Sequence, residues 1–362
     1  MTFGKNWKIL LLTLLFAEIS PVFAKNSSEL VYTEPFDLAA GGTTLTRASQ
    51  EGIVFANPAL LPLGAATIRW VGLETGFMLD RQLAEQGSSS IKSAADTSSP
   101  DFVDTLFARS LHFGQSLSLS LLNKNIAVTI FDRMEVDVAG SRYDNGGLPQ
   151  INFSGEAYAG AMATTAAQPL RWLSLGVTAK YLYMAEPDIQ IPITDEARIR
   201  ALTENTSALR DELKYGKGTG ADIGALFLWQ NTYVDLSLGL KVEDVGGTKF
   251  TNDQKTIPQT NNIGLGLAFH GTTSVLHLSA DYRDVSNAYG EKKFKKIYLG
   301  ARLMLWQMVG FAAGLYQGIP TFGVRFDAFF IKFGATAYGR ELGTYPGDKQ
   351  RNMVTIYTSI GF

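Results

Sequence analysis

The chain contains no cysteine, which excludes disulfide staples and thiolate metal sites. Histidine is scarce as well, with three residues that do not cluster, so a histidine-built metal site has no material and we expect no cofactor. A one-sided charge is also missing. The formal net charge of −2 gives no field that would draw nucleic acid or another polyanion. Finally, no apolar stretch reaches the ~20 residues of a membrane helix without meeting a charge or a glycine.

The front end reads as a processed leader. Lys5 and Lys8 precede the apolar run Ile9 to Ala17, and Pro21-Val22-Phe23-Ala24 follows. A basic start, a short apolar core and small residues near a cut site make a secretory signal peptide over 1–24, with cleavage after Ala24. No cysteine follows it, which argues against a lipoprotein.

What the chain has in quantity is glycine, aromatics and alternation. Thirty-six glycines and 11% aromatic residues suit a β-rich chain. The terminal stretch shows the pattern: Val354, Ile356, Thr358, Ile360 and Phe362 fall on one face, and Met353, Thr355, Tyr357, Ser359 and Gly361 on the other. Similar segments lie at about 65–77, 113–122, 126–139, 155–166, 171–184, 219–229, 232–243, 260–270, 274–285, 293–305, 308–317, 320–327, 330–342 and 352–362. In 171–184, Leu173, Leu175, Val177, Ala179, Tyr181 and Tyr183 oppose Trp172, Ser174, Gly176, Thr178 and Lys180. In 232–243, Leu236, Leu238 and Leu240 oppose Asp235, Ser237, Gly239 and Lys241.

Short joins such as Asn123-Lys124-Asn125, Gln230-Asn231 and Trp306-Gln307 alternate with long ones at about 78–112, 140–154, 185–218, 244–259 and 343–351. Dyad segments with alternating short and long connections are the pattern of a transmembrane antiparallel β-barrel. About fourteen strands return the C-terminus to the periplasmic side. A soluble sandwich gives no reason for that regularity. The join near Phe329 carries no turn residue, which leaves the count open by one hairpin.

If alternation holds, Arg133, Glu135, Asp137, Lys180, Asp222, Asp235, Lys241, His277, Asp281, Arg283, Lys296, Arg302, Arg325, Asp327 and Lys332 all point inward. Buried charges persist only when paired or wetted. The row reads either as an ion-pair lattice stiffening the wall or as a polar lining around a path. His277 and Ser279 share a face with Asp281 and Arg283, which raises an outer-membrane lipase as one possibility. Leu276, Leu278, Ala280 and Tyr282 hold the lipid side, however, so these four read as a polar cluster in the lumen. Two long joins carry helical patterns: Asp101 with Phe102, Leu106 and Phe107, and Ile199, Leu202, Leu209 and Leu213 on one helix face.

Several motifs together resemble the fatty-acid-transporter (FadL-like) and PorV-like outer-membrane barrels. They are Gly41-Gly42, then Asn57-Pro58-Ala59 before the first strand, with Leu60 standing where the family pattern has glycine. Asp222 within Gly-Ala-Asp-Ile-Gly, the stretch Thr336-Ala337-Tyr338 to Glu341-Leu342-Gly343, and the closing Phe362 complete the set. The resemblance implies a plug made by 25–64, carrying Gly41, Gly42, Asn57, Pro58 and Ala59, inside a barrel made by 65–362. It also implies a barrel-assembly machinery that reads Phe362. The transporter branch implies passive uptake of small hydrophobic molecules, entering at a pocket of Phe102, Leu106, Phe107, Leu202 and Leu209 and leaving sideways through the wall. The PorV-like branch implies a scaffold that binds secreted or surface proteins. A lipase relying on His277 is the third expectation. The expected surroundings are outer-membrane lipid, the expected partner a hydrophobic small molecule, and the expected location the bacterial outer membrane.

Overall fold

The computed structural model describes residues 32–64, 69–80, 111–141, 150–186, 188–192, 195, 214–252, 256–341, 346 and 350–361. The leader 1–24, the pocket residues Phe102, Leu106, Phe107, Leu202 and Leu209, the pair Leu342-Gly343 and Phe362 lie outside the described residues.

The strands are β1 Arg69–Asp80, β2 Leu111–Leu122, β3 Ile126–Ser141, β4 Gln150–Leu170, β5 Leu173–Glu186, β6 Asp188–Pro192 and β7 Lys214–Gln230. They continue as β8 Val234–Glu243, β9 Thr260–His270, β10 Ser274–Tyr282, β11 Ile297–Leu305 and β12 Val309–Tyr316. The last three are β13 Ile319–Ala328, β14 Ile331–Glu341 and β15 Gln350–Gly361. Neighbours pair antiparallel, β3 with β4 and β15 with β1, so the sheet closes on itself. β6 keeps the register that β5 holds on β4 (Ala157↔Ala185, then Ser154↔Asp188) and so continues β5 rather than adding a wall strand. The closed wall therefore has fourteen strands.

Alternation places the apolar set outside. Ile130 is 59% exposed, Phe322 60% and Ile356 63%, on a surface shared with Leu119, Leu265, Leu299 and Val324. An apolar band of this extent does not survive in water and is the lipid-facing belt of an outer-membrane barrel. Closure satisfies every wall hydrogen bond inside the membrane. Trp172, Trp229, Tyr233, Trp306, Phe329 and Phe330 are exposed near the short joins, where an interfacial aromatic girdle belongs.

Several elements differ from the sequence reading. Phe329 takes φ +50° and lets β13 turn directly into β14, which resolves the open hairpin. The join from β12 to β13 is only Gln317-Gly318, so one connection at the long-loop end is short. Lys293–Lys296 forms a 3₁₀ turn and not a strand, because Lys295 and Lys296 are held by Glu291 and Asp284. β4 and β7 run longer than expected, taking residues 150–154 and 214–218 out of the loops. Trp172 sits in the β4–β5 turn, exposed and stacked on Phe227, and not on the lumen face.

The segment 32–64 is not irregular throughout. α1 (Pro35–Ala39) starts at Glu34, whose carboxylate accepts the Asp37 amide, with proline at the first helical position. Gly41 and Gly42 follow in the left-handed region at φ +66° and +68°. Asn57 caps a 3₁₀ turn at Pro58–Leu60, accepting the Ala59 amide, and α2 (Leu61–Gly64) continues it.

Candidate functional site

Residues 32–64 lie within the barrel, and the lumen they occupy has two unlike sides. On the side of β9–β15 and β1, the wall supplies charges and hydroxyls. Arg302 donates to Asp37 at 2.7 Å and to the Thr43 carbonyl. Asp281 accepts the Thr44 and Leu45 amides at 2.8 and 3.1 Å. Arg283 donates to the Gly42 carbonyl and to Thr44 at 3.0 Å. Lys332 pairs with Glu51, Thr321 donates to the Ala39 carbonyl, and Thr336 donates to the Pro35 carbonyl. Tyr32 closes the run by donating to Glu74 on β1.

Glycines make this close approach possible. A Cβ on Gly300 would stand 2.2 Å from the Ala40 carbonyl oxygen, and one on Gly314 would stand 2.4 Å from the Gly41 nitrogen. On the other flank, a Cβ on Gly224 would meet Asn57 Oδ1 at 1.9 Å, and one on Gly239 the Leu45 carbonyl at 2.2 Å. The Asn57 side chain reaches the Leu45, Ala225 and Leu240 carbonyls. The Ser174 hydroxyl donates to the Ala59 carbonyl at 2.7 Å. The five residues Gly41, Gly42, Asn57, Pro58 and Ala59 are all buried against the wall.

The carboxyl of Glu34 is pushed up to about 8, first by burial and then by the neighbouring Asp37, with Arg325 opposing. It still accepts the Ser49 hydroxyl, which Asp37 shares.

The side of β2–β7 is different. Here the lumen face carries Leu122, Phe131, Tyr158, Met162, Leu182, Met184, Leu226 and Leu228. They join Tyr32, Ile53, Val54, Phe55, Leu60 and Leu61 of the inner segment in one cluster. The cluster runs from Phe250 and Ile257 in the β8–β9 loop to Leu122 and Ala127 beside the short β2–β3 turn. Phe55 packs on Tyr32 at 4.5 Å and edge-on to Phe131 at 5.0 Å between ring centroids. Leu60, in the family's glycine position, is buried in this column. Charges do intrude on this side: Lys180 is neutralised by Asp222 and Asp244, both at 2.6 Å, and Arg133 of β3 pairs with Glu135.

Alternation did point the listed charges inward, and most pair there: Arg133 with Glu135, Lys241 with Asp222, Lys296 with Asp284 and Arg325 with Asp327. It missed the apolar column, because it assumed a polar lumen throughout. The signal was present: Leu182 and Met184 follow Lys180 on the inward parity of β5.

The cluster His277, Ser279, Asp281 and Arg283 also faces inward. Ser279 bonds Thr43 at 2.6 Å, and Asp281 and Arg283 bind backbone of the inner segment. Among the described residues no hydrogen bond joins His277 to Ser279, so the pairing a serine hydrolase needs is not made. A shallow hollow of about 590 Å³ lies on the outside of β8–β12, floored by Ala280, Ala301 and Ala313 between leucines. Its leucines and alanines belong to the lipid-facing surface.

A closed barrel, an apolar outer belt and a chain segment packed in the lumen define an outer-membrane β-barrel with an occupied lumen. Neither a protein-family model nor a curated protein matches the sequence. Solved structures do match. The toluene transporter TodX of Pseudomonas putida superposes with a TM-score of 0.52 at 11% identity, over 92% of this chain and 99% of that one. The toluene transporter TbuX of Ralstonia pickettii gives 0.54 at 11% identity, over 92% and 99%. The fold is therefore that of these transporters.

Proposed function

We propose that this protein carries small hydrophobic molecules passively across the outer membrane, along the apolar column of its lumen. The observation that supports the reading is the continuity of that column, from Phe250 and Ile257 near the long loops to Leu122 and Leu228 near the short turns. Apolar solutes partition poorly into a polar headgroup layer, and a greasy path replaces water contact at every step. The segment 25–64 acts as a plug that sets the width of the path. Phe102, Leu106, Phe107, Leu202 and Leu209 form its entrance, and the His277 cluster serves the plug and not catalysis.

The test is uptake of toluene into lipid vesicles holding the refolded protein. Met184→Glu places an unpaired carboxylate in the column and should reduce uptake more than about tenfold. Met184→Leu keeps the volume and should leave it near wild type. Equal uptake by Met184→Glu in a barrel that still folds would sink the proposal. Deleting 100–110 together with 195–214 should also abolish uptake. A stable complex with a secreted protein and no toluene uptake would favour the scaffold reading instead.

A further inference from the structure

The outward face of β3, β4, β5 and β7 is not uniformly apolar. Register places Asp132, Ala159, Tyr183 and Lys217 in one row across these strands. All four share the lipid-facing parity with Ile130, Val177 and Ile223. The Lys217 ammonium lies 5.4 Å from the Tyr183 ring centroid. Tyr181 packs edge-on to Tyr183 at 5.1 Å and donates to its hydroxyl at 3.3 Å.

The chain at 248–252 then folds beside β7. Gly218 bridges Phe250, and the Lys217 amide donates to the Thr251 hydroxyl at 3.0 Å. The antiparallel bridge sets the exposed Lys249 opposite Thr219, diagonal to Lys217. Tyr181, Tyr183 and Lys217 lie toward the end that bears the long connections, which is the outer-leaflet side, whereas Asp132 stands six residues from the short-turn end of β3.

Two features set the patch apart. Among the described residues, no carboxylate pairs with Lys217 or Lys249, whereas the lumen lysines Lys180, Lys241, Lys296 and Lys332 each meet an acid. Tyr181 and Tyr183 put two hydroxyls on a face whose neighbours Val177, Ala179 and Ile223 are apolar. An ionisable side chain facing hydrocarbon is costly and marks a functional site.

We propose that this row binds the headgroup of a phosphorylated glycolipid of the outer leaflet. Lys217 and Lys249 take the phosphate, as basic residues at a membrane surface do. Tyr181 and Tyr183 give the sugar ring an aromatic face at interfacial depth. A phospholipid without sugar satisfies the lysines alone.

The test is native mass spectrometry of the detergent-extracted barrel, titrated with a bis-phosphorylated diglucosamine lipid and, separately, with phosphatidylglycerol. Wild type should retain the glycolipid through gas-phase activation and prefer it about tenfold over phosphatidylglycerol. Lys217→Gln with Lys249→Gln should lower retention by about tenfold. The lysines are exposed, so these variants keep the barrel fold, which the heat-induced gel shift verifies. Retention by the lysine variant within twofold of wild type overturns the proposal. So does equal binding of phosphatidylglycerol.

Discussion

The two sides of the lumen hold the same inner segment by opposite physics. On the β9–β15 side, Arg302, Asp281 and Arg283 meet backbone and Asp37 through directed, buried, charge-assisted bonds. Such contacts admit one register, because any slip leaves an uncompensated charge away from water. On the β2–β7 side, Phe131, Met162, Leu182 and Met184 meet Phe55, Leu60 and Leu61 through contacts without direction. A passing apolar solute can exchange such contacts at little cost. One side therefore clamps the segment by ion pairs and charge-assisted bonds, while the other holds it mainly by apolar contact beside the Asn57 and Ser174 anchors, and the proposed path follows that apolar side.

The comparison breaks most directly at Arg302. Arg302→Met leaves Asp37 buried and loses the bond to Thr43, at a cost of about 3–5 kcal/mol. Ion conductance in planar bilayers should appear as the segment loosens, and the urea midpoint should fall. Closed bilayers with an unshifted midpoint would place the anchor elsewhere.

Leu182→Ala probes the apolar side. It should cost about 2–5 kcal/mol of barrel stability, read by urea titration in lipid, because it opens a cavity in packed core. Toluene uptake should nonetheless hold or rise as the column widens. Parallel loss of both would mean that the column is structural only.

Gly224→Ala forces a Cβ into the place of Asn57 Oδ1. Overpacking of this kind costs about 1–3 kcal/mol. The expected readout is faster hydrogen exchange at 55–60, with the β7–β8 ladder unchanged.

The smallest effect concerns protons. Glu34 has its carboxyl raised from 4.5 to about 8 when docked, so docking favours the neutral form. That contribution is complete below about pH 4.5 and is lost progressively as pH rises to about 8. Exchange at 34–49, corrected for intrinsic rate, should therefore quicken across this window. Glu34→Gln should flatten the dependence, and an unaltered profile would show that Glu34 is not the group responsible.

Much of the wall was legible residue by residue. The run Leu236, Leu238, Leu240 against Asp235, Ser237, Gly239 shows both faces of β8 without any coordinates. A pair of hairpins even repeats its anchors. Asp222-Ile223-Gly224 leads to Asp244-Val245, and Asn262-Ile263-Gly264 leads to Asp284-Val285. In each, the first polar side chain accepts the amide of the later aspartate, which takes positive φ. That repeat is legible in the sequence itself. The turn at Phe329 was not legible, because a phenylalanine at positive φ carries no local signal. Gly300 and Gly314 looked like weak strand residues. Their use as a seat for Ala40 and Gly41 depends on a segment some 260 residues earlier.

Period and parity are local properties of a strand, and so the sequence by itself determined the closed wall, its lipid-facing belt and the inward set of ionisable groups. Tertiary structure alone decided which inward charges pair, where the inner segment rests, and that one side of the lumen is apolar. Those outcomes depend on contacts between strands and a segment far apart in the chain, where neither period nor propensity carries information.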